Sequence, residues 1–299
     1  MTKRRINRGR GQAPPLQVEI EVCHSPNNAL NSKVFSALAL VLIVAIGAWF
    51  RFTHLLDWDG GYQLHPDERG ILFIAQTIEM RGEDGSIRLA GLNPYRDADG
   101  GERPYAYGHL PLYASAGLER LLGLPCKVNP EWCSRITVES TAGMILNSGG
   151  KPRFDHLLIS GRLFSAFCDT LTILSVALLA GRLFDRWAGV FSAALCASAV
   201  THIQNAHFGT VDTSLALFAT LTLWALVRYS ETRKPLDSLL AGMFAGLAAS
   251  CKITGGLLLI PIIAVFTPSP ALPLPGGGGS PPLSKAIKDF NGVGEDHPP

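Results

Sequence analysis

The sequence predicts an all-α integral membrane protein, with about five transmembrane helices and a large first outer loop that carries interfacial helices. Three observations predict it. Only 17% of the 299 residues are charged, below the roughly 25% usual for soluble domains, and the mean hydropathy is positive at +0.22. Val34 to Phe50, VFSALALVLIVAIGAWF, runs 17 residues without a charge. Trp187 to Val227 holds no Lys or Arg and a single acid, Asp212. A helix needs about 20 apolar residues to cross a bilayer, with about 17 as the lower limit. The net charge of +2 provides no global field for nucleic acid.

The first span is placed at 34–53. A signal peptide is the other reading, because Lys and Arg precede the run. The apolar core exceeds the 7–15 residues of a signal peptide, and no small-x-small cleavage site follows GAWFRFTHLL. A retained anchor fits better. Four more spans are placed at 157–180, 187–205, 210–228 and 239–266, so that 157–266 forms one membrane block. Flanking cations set the orientation. The basic head, residues 1–33, carries Lys3, Arg4, Arg5, Arg8, Arg10 and Lys33. Arg182 and Arg186 follow the second span; Arg228, Arg233 and Lys234 follow the fourth. Those segments are expected on the cytoplasmic side of a plasma membrane. The turn THIQNAHFGTVDT, without Lys or Arg, and the loop 54–156 are expected outside. Residues 267–299 are Pro/Gly-rich and read as a linker or a disordered tail. No internal repeat is visible.

The outer loop has structure of its own. Asp67 to Gly82, DERGILFIAQTIEMRG, places Ile71, Ile74, Ala75 and Ile78 at helical spacing. Asp67 and Glu68 open it where the helix dipole favours acids, and Gly82 can end it. A second helix is predicted over Pro111–Gly123, with proline in its first turn. Both suit the membrane interface, with an apolar face toward lipid or protein. Cys126 and Cys133, in CKVNPEWC, could form a disulfide if the loop meets an oxidising compartment, or stay as two thiols. Cys168, Cys196 and Cys251 lie in apolar runs and read as small packing residues.

The ionisable residues have competing readings. Asp67 and Glu68 stand just beyond the first span, in HPDERG. A partly desolvated carboxylate there can act as a base near neutral pH, or both acids merely open a helix. Asp212 stands at the outer start of the fourth span, after His202 and His207. Carboxylates and imidazoles together could hold a divalent metal, or a substrate phosphate through that metal; alternatively Asp212 caps its helix. Arg162, Asp169 and Lys252 fall inside predicted spans. Buried charges in a bilayer pair or line a polar cavity. Arg162 and Asp169 share a helix face two turns apart and suit a structural link, direct or through a neighbour. Lys252 needs an anion, either a lipid phosphate or Asp169; the following Gly255, Gly256 and Pro261 could loosen its helix. PYAYGHLPLY, Pro104 to Tyr113, offers interface anchors or a sugar platform.

In order, HPDERG, YGHLPLY, GRLFSAFCDTLTILSVALLAGRLF, HFGTVDTSLALFATLTLWALVRY and GMFAGLAASCKITGGLLLIP resemble segments of the membrane GT-C glycosyltransferases. The resemblance is to the branch containing protein O-mannosyltransferases and lipid A aminoarabinose transferase, and it covers about 50–266. It implies a GT-C-like fold and a sugar donor carried on a polyprenyl phosphate. It also implies an acceptor hydroxyl, on protein or lipid, that attacks on the outer side with inversion. Asp67 would be the base. Glu68 and Asp212 would position the acceptor or help hold a metal. Arg162, Lys252 and Arg69 would neutralise the phosphate. The family has many more spans, so the chain reads as a truncated form, a degenerate copy or a half-module that needs a partner chain. A non-catalytic protein that binds lipid-linked sugar or scaffolds a complete transferase is the alternative; a transporter fits less well.

Overall fold

The computed structural model describes residues 26–60, 65–78, 92–96, 100–128 and 153–267. Residues 1–25 of the basic head, the tail from 268 and Cys133 lie outside them. The side chain of Cys126 does too, so the expected bridge falls outside the described residues. The chain divides into Met1–Phe35 and Ser36–Pro299. The first unit contributes only the start of α1 to the description; the second holds the bundle.

The described residues are mostly helical and contain no strand, only an isolated antiparallel bridge between Arg96 and Glu102. Helix α1 spans Pro26–Phe52, α2 Pro66–Gln76, α3 His109–Val128 and α4 Arg153–Leu183. They are followed by α5 Arg186–Ser198, α6 Val200–Ala206, α7 Asp212–Thr232 and α8 Pro235–Cys251. A 3-10 segment, Ile253–Leu258, leads into α9, Leu259–Phe266. The long helix α4 is the hub, packing against α2, α3, α5, α6 and α7. A hairpin of α7 and α8 completes the bundle.

Three apolar clusters hold these helices together. At one end Ile71, Leu72 and Ala75 of α2 meet Leu112 and Ala116 of α3, Leu157 and Leu158 of α4, and Val211. The apolar face of α2 therefore turns to protein. This helix stops at Gln76, short of Gly82, where the Thr77 hydroxyl donates to the Ile74 carbonyl at 2.7 Å. Along the bundle Ile173 and Ala177 of α4 meet Ala193 and Ala197 of α5, with Leu40, Ile43 and Val44 of α1 alongside. Ala225 and Leu226 of α7 meet Ala241 of α8, with Ile262 and Val265 of α9 packed against them.

Two expected spans are not continuous helices. The segment 187–205 breaks at Ala199, whose backbone is extended, into α5 and α6. Broken helices at membrane depth persist where protein groups take up the freed backbone polar groups. Here the Arg51 guanidinium donates to the Cys196 and Ala197 carbonyls, at 3.1 Å each. The segment 239–266 breaks at Lys252, which is extended at φ −156°, ψ 143°. Gly255 is required there, because a Cβ on it would lie 2.4 Å from the Ala248 carbonyl. So Lys252 is not inside a helix but at the end of one.

Two helices, Ser32–Phe52 and Leu157–Leu183, are long and apolar enough to cross a membrane. The distribution of polarity points the same way. Leu38, Val41, Leu42, Ile46 and Trp49 of α1 are 46–69% exposed, whereas Arg51, Glu68, Arg162, Asp169 and Asp237 are 0% exposed. Ile260 and Ile263 of α9 are also exposed, at 66% and 60%. Apolar residues outside and charges inside invert the pattern of a water-soluble domain. Such an exterior suits lipid, where intramembrane charges turn inward and pair.

Candidate active site

The HPDERG segment delivers its two acids to different places because successive residues on a helix point about 100° apart. Pro66 starts α2 at its first position, where its missing N–H costs nothing. Glu68 then faces the bundle and is fully buried. Both of its oxygens accept from Arg162, Nε to Oε1 and Nη2 to Oε2, each at 2.9 Å. The Gly209 amide donates to Oε1 at 2.7 Å. Arg162 also donates to the carbonyls of Leu55 and Leu56, at 3.1 and 3.3 Å, and reaches Asp59 at 3.3 Å. This fork-to-fork geometry ties the end of α1, α2, α4 and the turn before α7 into one knot. Breaking such a buried pair typically costs about 3–5 kcal/mol. Glu68 and Arg162 are therefore buried partners, with all five N–H groups of the guanidinium engaged by protein oxygens.

Asp67, one residue earlier, is only half buried. The Tyr107 hydroxyl lies beside it, near enough for the Asp67 and Asp212 carboxylates both to act on the phenol. Desolvation first, then these two acids, push the Tyr107 pKa up to about 12. Asp212 stands in the first turn of α7 and is not its N-cap, which is Val211. Instead it accepts from Lys252 Nζ at 2.9 Å, with the two side chains 40% and 33% exposed. Asp67, Tyr107, Asp212 and Lys252 thus form a polar centre that solvent and ligands can reach.

The loop that carries Tyr107 is seated on the break after α8. The Gly108 amide donates to the Cys251 carbonyl at 3.0 Å. A Cβ at Gly108 would lie 2.0 Å from the Ser250 carbonyl oxygen, so only glycine allows this approach. The Tyr105 hydroxyl donates to the Gly108 carbonyl at 2.9 Å, and the Tyr113 hydroxyl to the Leu92 carbonyl at 2.6 Å. Tyr105 and Tyr113 brace the loop; Tyr107 faces the acids. Burial and the neighbouring tyrosines raise the pKa values of both bracing phenols, so they remain hydrogen-bond donors.

A second buried pair replaces the expected link between Arg162 and Asp169. Asp169 accepts from Arg51 Nε at 2.6 Å and meets His202 Nδ1 at 2.6 Å. Seven residues along a helix span about 10 Å, and each of the two α4 residues turns to a different neighbour. Lys252, for its part, pairs with Asp212 rather than Asp169. The set Asp212, His202 and His207 is not brought together either. His207 is fully buried, its Nδ1 at 2.7 Å from the Ile203 carbonyl and Nε2 at 2.9 Å from the Thr53 carbonyl. Its ring stacks on Trp58 at 3.9 Å. Among the described residues no three His, Cys, Asp or Glu side chains converge as metal ligands. Arg69 is half buried on α2, next to Glu68.

Arg51, Asp59 and Tyr107 are partners that the sequence reading did not single out. A lone Arg at the end of the first apolar run was the available signal for Arg51. Nothing local marks Asp59, and Tyr107 is hidden among three tyrosines.

A helical bundle with an apolar exterior and an accessible centre of two acids, a tyrosine and a lysine fits a membrane protein. Residues 154–271 match the family model of the dolichyl-phosphate-mannose-protein mannosyltransferases, and over that segment the chain resembles a GT-C mannosyltransferase. The match includes Asp212 and Lys252 and stops short of Asp67 and Tyr107. No curated protein and no solved structure matches the chain.

Proposed function

We propose that the chain is a multi-pass membrane glycosyltransferase, or a short form of one, that moves a sugar from a polyprenyl phosphate to an acceptor hydroxyl on the outer side. The observation that carries the reading is the grouping of Asp67, Tyr107, Asp212 and Lys252 in one accessible centre. The acceptor oxygen attacks the anomeric carbon, the bond from that carbon to the phosphate oxygen breaks, and the lipid phosphate leaves with the electron pair. Asp67 takes the hydroxyl proton. Inversion needs the base on the face opposite the leaving group. Tyr107 fixes the Asp67 carboxylate and keeps it from turning away. Lys252, released from Asp212, offsets the charge that develops on the departing phosphate. Asp67 and Asp212 are the carboxylates that would hold a divalent cation.

Asp67→Asn in the full chain, reconstituted with a polyprenyl-phosphate mannose donor, is expected to reduce transfer at least 100-fold, the scale of a lost general base. Glu68→Gln is expected to lower the yield of folded protein instead. Full transfer by Asp67→Asn removes Asp67 as the base.

One observation favours a second reading, that of a protein which binds lipid-linked sugar without transferring it. Lys252 is already neutralised by Asp212, so a phosphate must displace a carboxylate to reach it. Donor binding without transfer by the isolated wild-type chain, with transfer restored by a complete transferase, would support that role.

A further inference from the structure

A cavity of about 610 Å³ lies among α1, α4, α5 and α7, far from Asp67. Helix α4 carries Arg162 in its first half and Arg182 at its far end, and the rise between the two positions is about 30 Å. Leu40, Leu178 and Val190 form its apolar wall, and Arg182, Arg186 and Glu231 its rim. We propose that this cavity binds an anionic phospholipid, with the phosphate on Arg186 beside Arg182 and an acyl chain along Leu40, Leu178 and Val190.

Charge on the rim sets the sign of the ligand. Arg182 is matched by Glu231, Nε to Oε2 at 2.7 Å and Nη2 to Oε2 at 2.6 Å. That pair contributes no net charge. Arg186 is exposed and has no acidic partner among the described residues. The free amides at the start of α5 do not draw the anion, because Asp185 already accepts from the Trp187 and Ala188 amides at 2.7 and 2.9 Å. Arg186 is therefore the cavity-lining guanidinium left without an ion pair, beside an Asp185 carboxylate that is held by the amides of its own helix. The planar fork of Arg186 suits a phosphate.

The walls set the kind of anion. A small soluble anion gains nothing from three aliphatic side chains, whereas a phospholipid uses both the cation and the wall. Phe184 and Trp187, 44% and 43% exposed, flank the arginines. Aromatic side chains of this kind favour the headgroup level, where basic cavities between membrane helices take anionic headgroups. The inference rests on the membrane placement of the helices and not on sugar transfer.

The test is native mass spectrometry of the full chain in detergent, titrated with phosphatidylglycerol or with phosphatidylcholine of the same acyl chains. Phosphatidylglycerol is expected to bind about tenfold more tightly, the scale of one charge-assisted contact. Arg186→Gln, at an exposed position, is expected to bring the two lipids within about twofold. Val190→Trp is expected to weaken both by filling the wall. Asp67→Asn is expected to change nothing here, which keeps this result separate from the transfer assay. Equal binding of the two lipids by the wild-type chain would overturn the proposal. So would an unchanged preference in Arg186→Gln, or displacement of the lipid by millimolar inorganic phosphate.

Discussion

Tyr107 and Asp67 place one neutral donor against one carboxylate, and the tyrosine keeps its proton far into alkali. Its folded pKa of about 12 lies above the ordinary value of 10.0. A group with a raised folded pKa contributes fully below its unfolded pKa and loses that contribution as pH rises through the folded one. The stability held by Tyr107 is thus intact below about pH 10 and lost between about pH 10 and 12. Tyr107→Phe is expected to flatten that part of the alkaline loss in thermal inactivation measured against pH. It is also expected to lower kcat about tenfold with KM little changed, because the tyrosine orients the base rather than the substrate. An unchanged kcat would make Tyr107 a brace like Tyr105. At this scale the sequence shows which residue types matter but not their roles. HPDERG offers two adjacent acids, and only the direction in which α2 faces the bundle separates the base candidate from the buried strut.

Elements meet at two places where the backbone must come unusually close. Gly108 packs directly on the end of α8, where a methyl group would overlap the Ser250 carbonyl. Gly70, on the exposed side of α2, has open space around the same position. Gly108→Ala is therefore expected to lift the Tyr107 loop off Lys252, costing about 1–3 kcal/mol and at least tenfold in transfer. Gly70→Ala is expected to be neutral or to stabilise by about 0.5–1 kcal/mol, because alanine favours helix. Inactivation temperature and transfer rate, measured on both variants, check the pair; equal behaviour would mean that the loop is not held this way. Helix positions were legible from the long apolar runs: α4, expected over 157–180, runs Arg153–Leu183, and α7, expected over 210–228, runs Asp212–Thr232. The breaks at Ala199 and Lys252 were less legible. Gly255, Gly256 and Pro261 hinted at the second. The first depends on a guanidinium from a helix 145 residues earlier, which no local window contains.

The described helices bury Arg51, Glu68, Arg162, Asp169 and Asp237 and leave many aliphatic side chains outside, and that arrangement makes a bulk prediction. Alkaline carbonate extraction is expected to leave the chain in the membrane pellet, because peeling away exposed apolar helices would cost about 25 cal/mol for each Å² wetted. Recovery in the supernatant would contradict the lipid-facing exterior. Overall class was readable because composition and long uncharged runs are properties of the chain as a whole. The charge pairs were not: sequence suggested Arg162 with Asp169, whereas the folded chain pairs Arg162 with Glu68 and Arg51 with Asp169. Two turns on one helix are visible in a sequence; two helices side by side are not.

The pairing of Arg51 with Asp169 also sets a clock. The two residues are 118 positions apart. At about 5–20 residues per second, a ribosome needs roughly 6–24 s to make the second after the first. During that interval the guanidinium at the end of α1 has no carboxylate, and its long side chain must reach for water or lipid phosphate. Helix α1 thus stays unlocked until α4 has been made, and its final position is decided by a residue not yet translated when α1 was complete.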